Sequence, residues 1–418
     1  MPEAALSEIT RTFLRIGVLS FGGPAAQISL MHRELVEARG WLSEEEYLRA
    51  LGFCMLLPGP EAMQLATYAG WRLRGVPGGL IAGGLFVAPG ALVIGLLAAG
   101  YIAFGEVPLV QAVFTGIQAA VVAIVLQALL RLGRKALRGP ADWAVAALAF
   151  AAIFLLGLPF PAILAAAALW GAWAARNAPA GPAPPPAERP RTLATVALWG
   201  ALWAAPLVPL WLAGATFLTD LALFFGWLAL VTFGGAYAVL AYMTQTVVGE
   251  FGWLTTAQMI DALGLAETTP GPLILVTQFV GHLAGHAQGG WALGLLAGLL
   301  VLWMTFVPCF LWIFAGAPYV EALAARPRLQ GALKGITAAV VGVILNLALW
   351  FALHVLFAQM REGPAMLAAP VPVWSSLQPV PSALVALALG LILWRGMGVA
   401  AAIVTMGAAG AAAGLALG

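Results

Sequence analysis

Leu57-Pro58-Gly59-Pro60-Glu61 and Thr269-Pro270-Gly271-Pro272-Leu273 each interrupt a long apolar run near its middle. At an offset of 212, residues 21–60 align with residues 233–272 without a gap and share 15 of 40 positions. Phe21-Gly22-Gly23 falls on Phe233-Gly234-Gly235, Gly40-Trp41-Leu42 on Gly252-Trp253-Leu254, and Pro58-Gly59-Pro60 on Pro270-Gly271-Pro272. A bias toward Ala, Leu and Gly scatters matches, but it does not keep three motifs in one register. The chain therefore carries an internal duplication. Further on, the repeat continues at an offset of 219, with Pro89 on Pro308 and Gly116-Ile117 on Gly335-Ile336.

Of the 418 residues, 62% are hydrophobic and 9% charged, and the mean hydropathy is +0.98. A soluble domain carries roughly a quarter of its residues charged, so this composition is that of an integral membrane protein. Apolar stretches of about 17–25 residues, the length that crosses hydrocarbon as helix, recur from end to end. The alternating pattern of a membrane barrel is absent. Cys54 and Cys309 both lie in apolar runs. They read as small buried residues, with neither a disulfide framework nor a CxxC metal motif. Residues 1–16 contain Glu3, Glu8, Arg11 and Arg15 and no removable signal pattern.

Thirteen hydrophobic crossings are expected: 8–30, 44–73, 78–104, 108–133, 140–158, 160–176, 193–212, 217–243, 255–283, 289–316, 332–356, 381–395 and 397–417. The second and ninth contain the Pro-Gly-Pro breaks, and halves of about 13 residues, roughly 20 Å of helix, are too short to span alone. The expected fold is an all-α membrane protein of two six-crossing units, residues 1–176 and 217–418. Between them, 177–216 holds a linker from Asn177 to Pro186, rich in proline, and a spacer helix. Six crossings plus one is odd, which inverts the second unit relative to the first. With the N-terminus inside, 15 of the 19 basic residues fall at cytoplasmic ends, leaving out Arg33, Arg39, Arg49 and Arg361. The alternative, in which each interrupted segment returns to the side it entered, makes the units parallel and splits the basic residues 13 to 6, so the bias favours inverted repeats.

A backbone break in hydrocarbon strands polar groups at a few kcal/mol each, so it persists where it lines a cavity. Pro58 and Pro60 cannot donate, Gly59 permits an open backbone, and the half-helix that follows presents free N–H groups and a positive dipole end. That arrangement suits an anion. The expected binding residues are Gly22, Gly23, Pro58, Gly59, Pro60 and Gln64 in the first copy. In the second they are Gly234, Gly235, Thr268, Thr269, Pro270, Gly271 and Pro272, the threonine hydroxyls serving as caps or as donors to a ligand oxygen. The plain alternatives are a proline kink and, at the glycine pairs, close helix packing.

Polar groups differ between the copies: Glu61 stands opposite Leu273, and Glu267 opposite Met55. Intramembrane carboxylates usually serve ion or proton movement, so Glu61 and Glu267 are candidates for a proton relay. Arg33 and Arg49 are candidates for drawing anions to the mouth, against ordinary surface pairing with Glu34, Glu37 and Glu44-Glu45-Glu46. His282 and His286 are spaced i,i+4, but without further ligands they do not make a metal site. No metalloprotease, nucleophile-elbow or paired-aspartate motif is present, which argues against an enzyme, and no cofactor is implied.

In Ser20-Phe21-Gly22-Gly23-Pro24, Gly40-Trp41-Leu42, Leu57-Pro58-Gly59-Pro60, Gln64 and Gly70, and again in Thr232-Phe233-Gly234-Gly235, Gly252-Trp253-Leu254 and Thr269-Pro270-Gly271-Pro272, the chain resembles the chromate ion transporter family in its long, two-unit form. The resemblance implies export of chromate from the cytoplasm across the inner membrane, with sulfate as the related oxyanion and protons or the membrane potential as the drive. The expected partners are therefore the oxyanion, protons and the lipid bilayer. Nucleic acid is not among them, and a homo-oligomer is compatible.

Overall fold

The computed structural model describes residues 4–179, 192–233, 236–320, 326–361, 363 and 370–417. The first copy contains α1 (Leu6–Leu19), α2 (Gly23–His32), α3 (Glu44–Cys54), α4 (Glu61–Phe104), α5 (Pro108–Ala136), α6 (Pro140–Phe154) and α7 (Phe160–Ala174). Then come α8 (Thr192–Ala204) and α9 (Leu207–Leu212). The second copy contains α10 (Thr216–Leu230), α11 (Ala236–Thr244), α12 (Thr256–Glu267), α13 (Val276–Gly316), α14 (Pro327–Leu356), α15 (Pro379–Leu389) and α16 (Val399–Leu417). Among the described residues, six helical stretches are long and apolar enough to cross a membrane: 61–104, 108–136, 192–212, 273–319, 327–356 and 399–416. The described residues are all-α apart from one two-residue strand pair, and the protein is a multi-pass membrane protein.

The chain divides into two compact units. The first takes residues 1–99, 179–236 and 269–329. Within it, α4 doubles back at Arg74-Gly75, where Gly75 has φ +61° and ψ −150°. The arms 61–73 and 76–104 pack so closely that a Cβ on Gly70 would meet the Gly78 carbonyl oxygen at 2.2 Å. Gly289-Gly290 makes the same turn in α13, whose arms are joined by His282 Nδ1 and the Gly294 carbonyl at 3.0 Å. Small residues that let backbones meet are the usual cement of helices in lipid.

Polar contacts at one end of this unit correct the expected path of the chain. Arg74 Nε donates to the Ala4 carbonyl at 2.7 Å, Arg72 lies 3.4 Å from Glu46, and His32 Nε2 lies 2.6 Å from Glu44. Residues 4, 32, 44–46 and 72–74 therefore stand at one level. The stretches 8–30 and 44–73, expected as crossings, are helical hairpins whose tips are Ser20–Gly22 and the Pro-Gly-Pro break. Helix lengths agree: α1 and α3, with 14 and 11 residues, reach only about 21 and 16 Å. Ser43 begins α3 with a capping box to Glu46, which fixes the hairpin mouth where the chain meets water.

The second unit takes residues 100–178, 237–268 and 330–418. Glycines again set its packing: a Cβ on Gly116 would strike the Met406 carbonyl in α16, and one on Gly342 the Ala146 carbonyl in α6. Asp142 receives the Arg138 and Gly139 amides at 3.1 Å each and pairs with Lys334 at 3.1 Å. Helix α12 lies against α5, with Gly264 over Ile117.

Candidate functional site

Both proline-bracketed stretches are non-helical: 55–60 separates α3 from α4, and 268–272 separates α12 from the short turn 273–275 that enters α13. Gly59 and Gly271 take φ of +121° and +86°, a region that a side chain would strain. Gly59 N–H donates to the Thr232 carbonyl at 2.8 Å, and Gly271 N–H to the Ser20 carbonyl at 3.0 Å. Ser20 and Thr232 are equivalent at the repeat offset, so one bond is made twice with the copies exchanged. Side-chain packing follows the same exchange. A Cβ on Gly59 would lie 3.0 Å from Cys309 Sγ, while Gly271 lies against Gly90, the position equivalent to Cys309. A two-fold relation between the copies produces reciprocity of this kind.

The glycine N–H groups are paired; beyond them α4 begins at Glu61 and the turn 273–275 at Leu273, with the Leu275 N–H donating to the Pro272 carbonyl at 3.0 Å. Those two segments border one cavity of ≈ 40 Å³, lined by Gly59, Pro60 and Glu61 from one break and Pro272 and Leu273 from the other, with Gln27 and Thr232 beside them. At about 10–15 Å³ per water, it holds roughly three waters. No lysine, arginine or histidine is among the described lining residues.

Glu61 is the first residue of α4 and faces this cavity. Gln64 is buried behind it, its Nε2 donating to the Pro58 carbonyl at 2.7 Å and its Oε1 without a partner. Thr269 and Pro270 are buried in the second break, whereas the Thr268 hydroxyl is spent on the Leu265 carbonyl at 2.7 Å, ending α12. Gly22 and Gly23 take φ of +88° and +78°, and nothing would lie within 4 Å of a Cβ on Gly23. A tight turn, rather than close packing, explains this pair. Gly234 and Gly235 lie outside the described residues, as do Arg189, Arg191 and most of the proline-rich linker. Arg33 and Arg49 are exposed and do not line the cavity, and Arg49 is 3.5 Å from Glu45. His282 bonds to Gln278 and Gly294, His286 packs on Trp291, and no group of three metal-ligating side chains occurs among the described residues.

Gln27, not singled out by the motifs, joins the tips. Only 1% exposed, it donates through Nε2 to the Gly271 carbonyl at 2.6 Å and the Ser20 carbonyl at 3.2 Å. Its equivalent in the second copy is Val239, so one of the reciprocal contacts is reinforced and the other is not. In the second unit, Glu267 accepts a short hydrogen bond from the Tyr237 hydroxyl. Asp261, also overlooked, is 3% exposed and accepts from Tyr101 Oη at 2.8 Å and Gln118 Nε2 at 2.9 Å. The available signal for both residues was a lone polar side chain within an apolar helical run.

The family model for chromate transporters matches residues 7–172 and 219–415, both copies of the repeat. The chain belongs to the chromate transporter family. It is 34% identical over 354 residues to a chromate transport protein of Pseudomonas aeruginosa, covering 82% of this chain and 80% of that one. It is 32% identical over 358 residues to a probable chromate transport protein of Synechococcus elongatus, covering 82% and 84%. To a chromate transport protein of Cupriavidus metallidurans it is 31% identical over 347 residues, covering 82% of each chain. These family relatives are transporters rather than enzymes. No solved structure matches the chain.

Proposed function

We propose that the protein exports chromate from the cytoplasm across the inner membrane, through the cavity where the two Pro-Gly-Pro breaks meet. The observation that carries this reading is the shared lining: Gly59, Pro60 and Glu61 from one copy and Pro272 and Leu273 from the other border a single hollow. The start of α4 there turns a positive dipole end toward an anion without a fixed cation. The proposed binding residues are those of the breaks and hairpin tips, with Glu61 and Glu267 as the carboxylates that exchange protons.

The hairpins support a reading as inverted repeats, with units 1–176 and 217–418 about a linking segment. In the first copy both hairpins open to one face, 76–104 crosses and α5 returns. The 15-residue α6 and α7, about 22 Å each, go in and back as a pair. The stretch 192–212 then crosses once, so the second copy starts on the opposite face. By sequence position this puts Arg33, Arg39, Arg49, Arg72 and Arg74, together with Arg326, Arg328 and Lys334, on one face. Arg361 lies opposite, and Arg395 lies between α15 and α16. Arg33, Arg39 and Arg49, exceptions under the thirteen-crossing topology, now obey the charge rule, and that face is the cytoplasm.

An inside-negative membrane drives a dianion outward with roughly 4–5 kcal/mol per 100 mV, from about 2.3 per elementary charge. The test is uptake of labelled chromate into everted vesicles, with and without an imposed potential, and with sulfate as competitor. Accumulation above vesicles lacking the protein is expected. Equal accumulation in both preparations overturns the reading, and a preference for sulfate reassigns the oxyanion.

A further inference from the structure

Asp261 stands apart from the anion cavity and from every motif that led to it. Its side chain is buried and is held by two neutral donors from different elements, Tyr101 at the end of α4 and Gln118 in α5. Carboxylates buried without a cationic partner are expensive, and in membrane proteins those that persist usually exchange protons or ions with a transport pathway. The equivalent position in the first copy is Arg49, exposed and paired with Glu45, so packing of the repeat does not demand a carboxylate here. We infer that Asp261 is a proton-exchanging residue of the transport cycle, separate from the oxyanion site and served by Tyr101 and Gln118. This rests on the transport function proposed above.

The surroundings allow this role. Helix α12 has no titratable side chain besides Asp261 and Glu267, and α16, which also packs on it, has none. From α5 come Gln118 and, near Tyr237, Arg131. From the end of α4 comes Tyr101, with Glu106 beyond it. No cation is paired with Asp261 among the described residues, so adding or removing a proton changes the net charge at this point. Such a change can bias a conformational equilibrium that a permanently paired carboxylate cannot. Glu267, six residues on, ends α12 where the second break begins. The helix that carries Asp261 is thus continuous with the chain entering the cavity wall.

The test uses the full chain in proteoliposomes, with chromate flux and an internal pH dye read together between about pH 5.5 and 8.5. In wild type, chromate movement is accompanied by proton movement and varies with pH. Asp261→Asn, which keeps size and an acceptor, is expected to flatten the pH profile and to reduce proton-gradient-driven flux at least tenfold. Tyr101→Phe removes one donor to the charged form, so the proton is held more tightly. Its midpoint is expected to move to higher pH by about half a unit to one unit, the effect of one neutral hydrogen bond. A structural clamp predicts weaker folding in both variants but no shift of midpoint. A wild-type profile and wild-type proton movement in Asp261→Asn overturn the inference, and so does an unshifted midpoint in Tyr101→Phe. Wild-type chromate flux with no proton movement also overturns it and leaves the transport reading standing. An absence of any wild-type chromate flux removes the transport reading instead.

Discussion

Replacing Gly90 by alanine places a methyl group 2.2 Å from the Pro270 carbonyl oxygen and 2.6 Å from Leu275 Cδ1. In an open helix the same exchange stabilises by about 0.5–1 kcal/mol. Here the carbon–oxygen approach falls about 1 Å short of van der Waals contact, and the obstacle is main chain at the second break. Overpacking a tight site costs about 1–3 kcal/mol, toward the top of that range where backbone has to move. The net expectation is a loss of about 1–2 kcal/mol. Gly84→Ala supplies the reference on the same arm of α4, because its Cβ would meet nothing within 4 Å. Midpoints of SDS titration and chromate flux, measured on both variants, should rank Gly90→Ala below wild type and Gly84→Ala at or above it. Flux should drop at least fivefold in Gly90→Ala, since the carbonyl displaced belongs to the residue before Gly271. Equal stability and flux in the two variants would refute the placement of Pro270 against α4.

Gln27→Leu leaves the buried Gly271 carbonyl without its side-chain donor, at about 1–3 kcal/mol. It should unseat the Ser20–Gly271 contact, seen as faster thiol labelling of a cysteine introduced at position 20; unchanged labelling counts against the contact. Glu61→Gln and Glu267→Gln should each slow proton-gradient-driven chromate flux. Equal rates in both variants and wild type would remove their proton role while leaving the anion cavity standing. At the hairpin mouth, the hydrogen bond that the His32 imidazole donates to Glu44, aided by the charges of Glu44 and Glu37, holds His32 above its ordinary 6.5. Its contribution to stability is therefore complete below pH 6.5 and is lost as pH rises through the elevated value. In His32→Gln, the difference between melts at pH 5.5 and pH 8.5 should shrink, and an unchanged difference would detach His32 from the mouth.

The duplication, the two breaks and the all-helical membrane class were legible because each rests on local residues. Three motifs in one register and proline flanking a flexible glycine need no knowledge of space. The hairpins were not legible. A 30-residue apolar run with a central break reads alike whether its 13-residue arms continue or fold back. The deciding contacts, Arg72 with Glu46 and His32 with Glu44, join positions 26 and 12 residues apart. Gln27 and Asp261 escaped notice for a related reason. Each is a single polar side chain whose partners, Gly271 in one case and Tyr101 and Gln118 in the other, lie more than 140 residues away in sequence.

Because each break obtains its carbonyl from the opposite copy, neither half of the polypeptide is chemically finished when made by itself. A lone half would bury a glycine amide with nothing to meet it. Cutting the chain within the linker and producing the fragments from separate messages should therefore yield two pieces that seek each other in the bilayer. Restored activity would then appear only on coexpression.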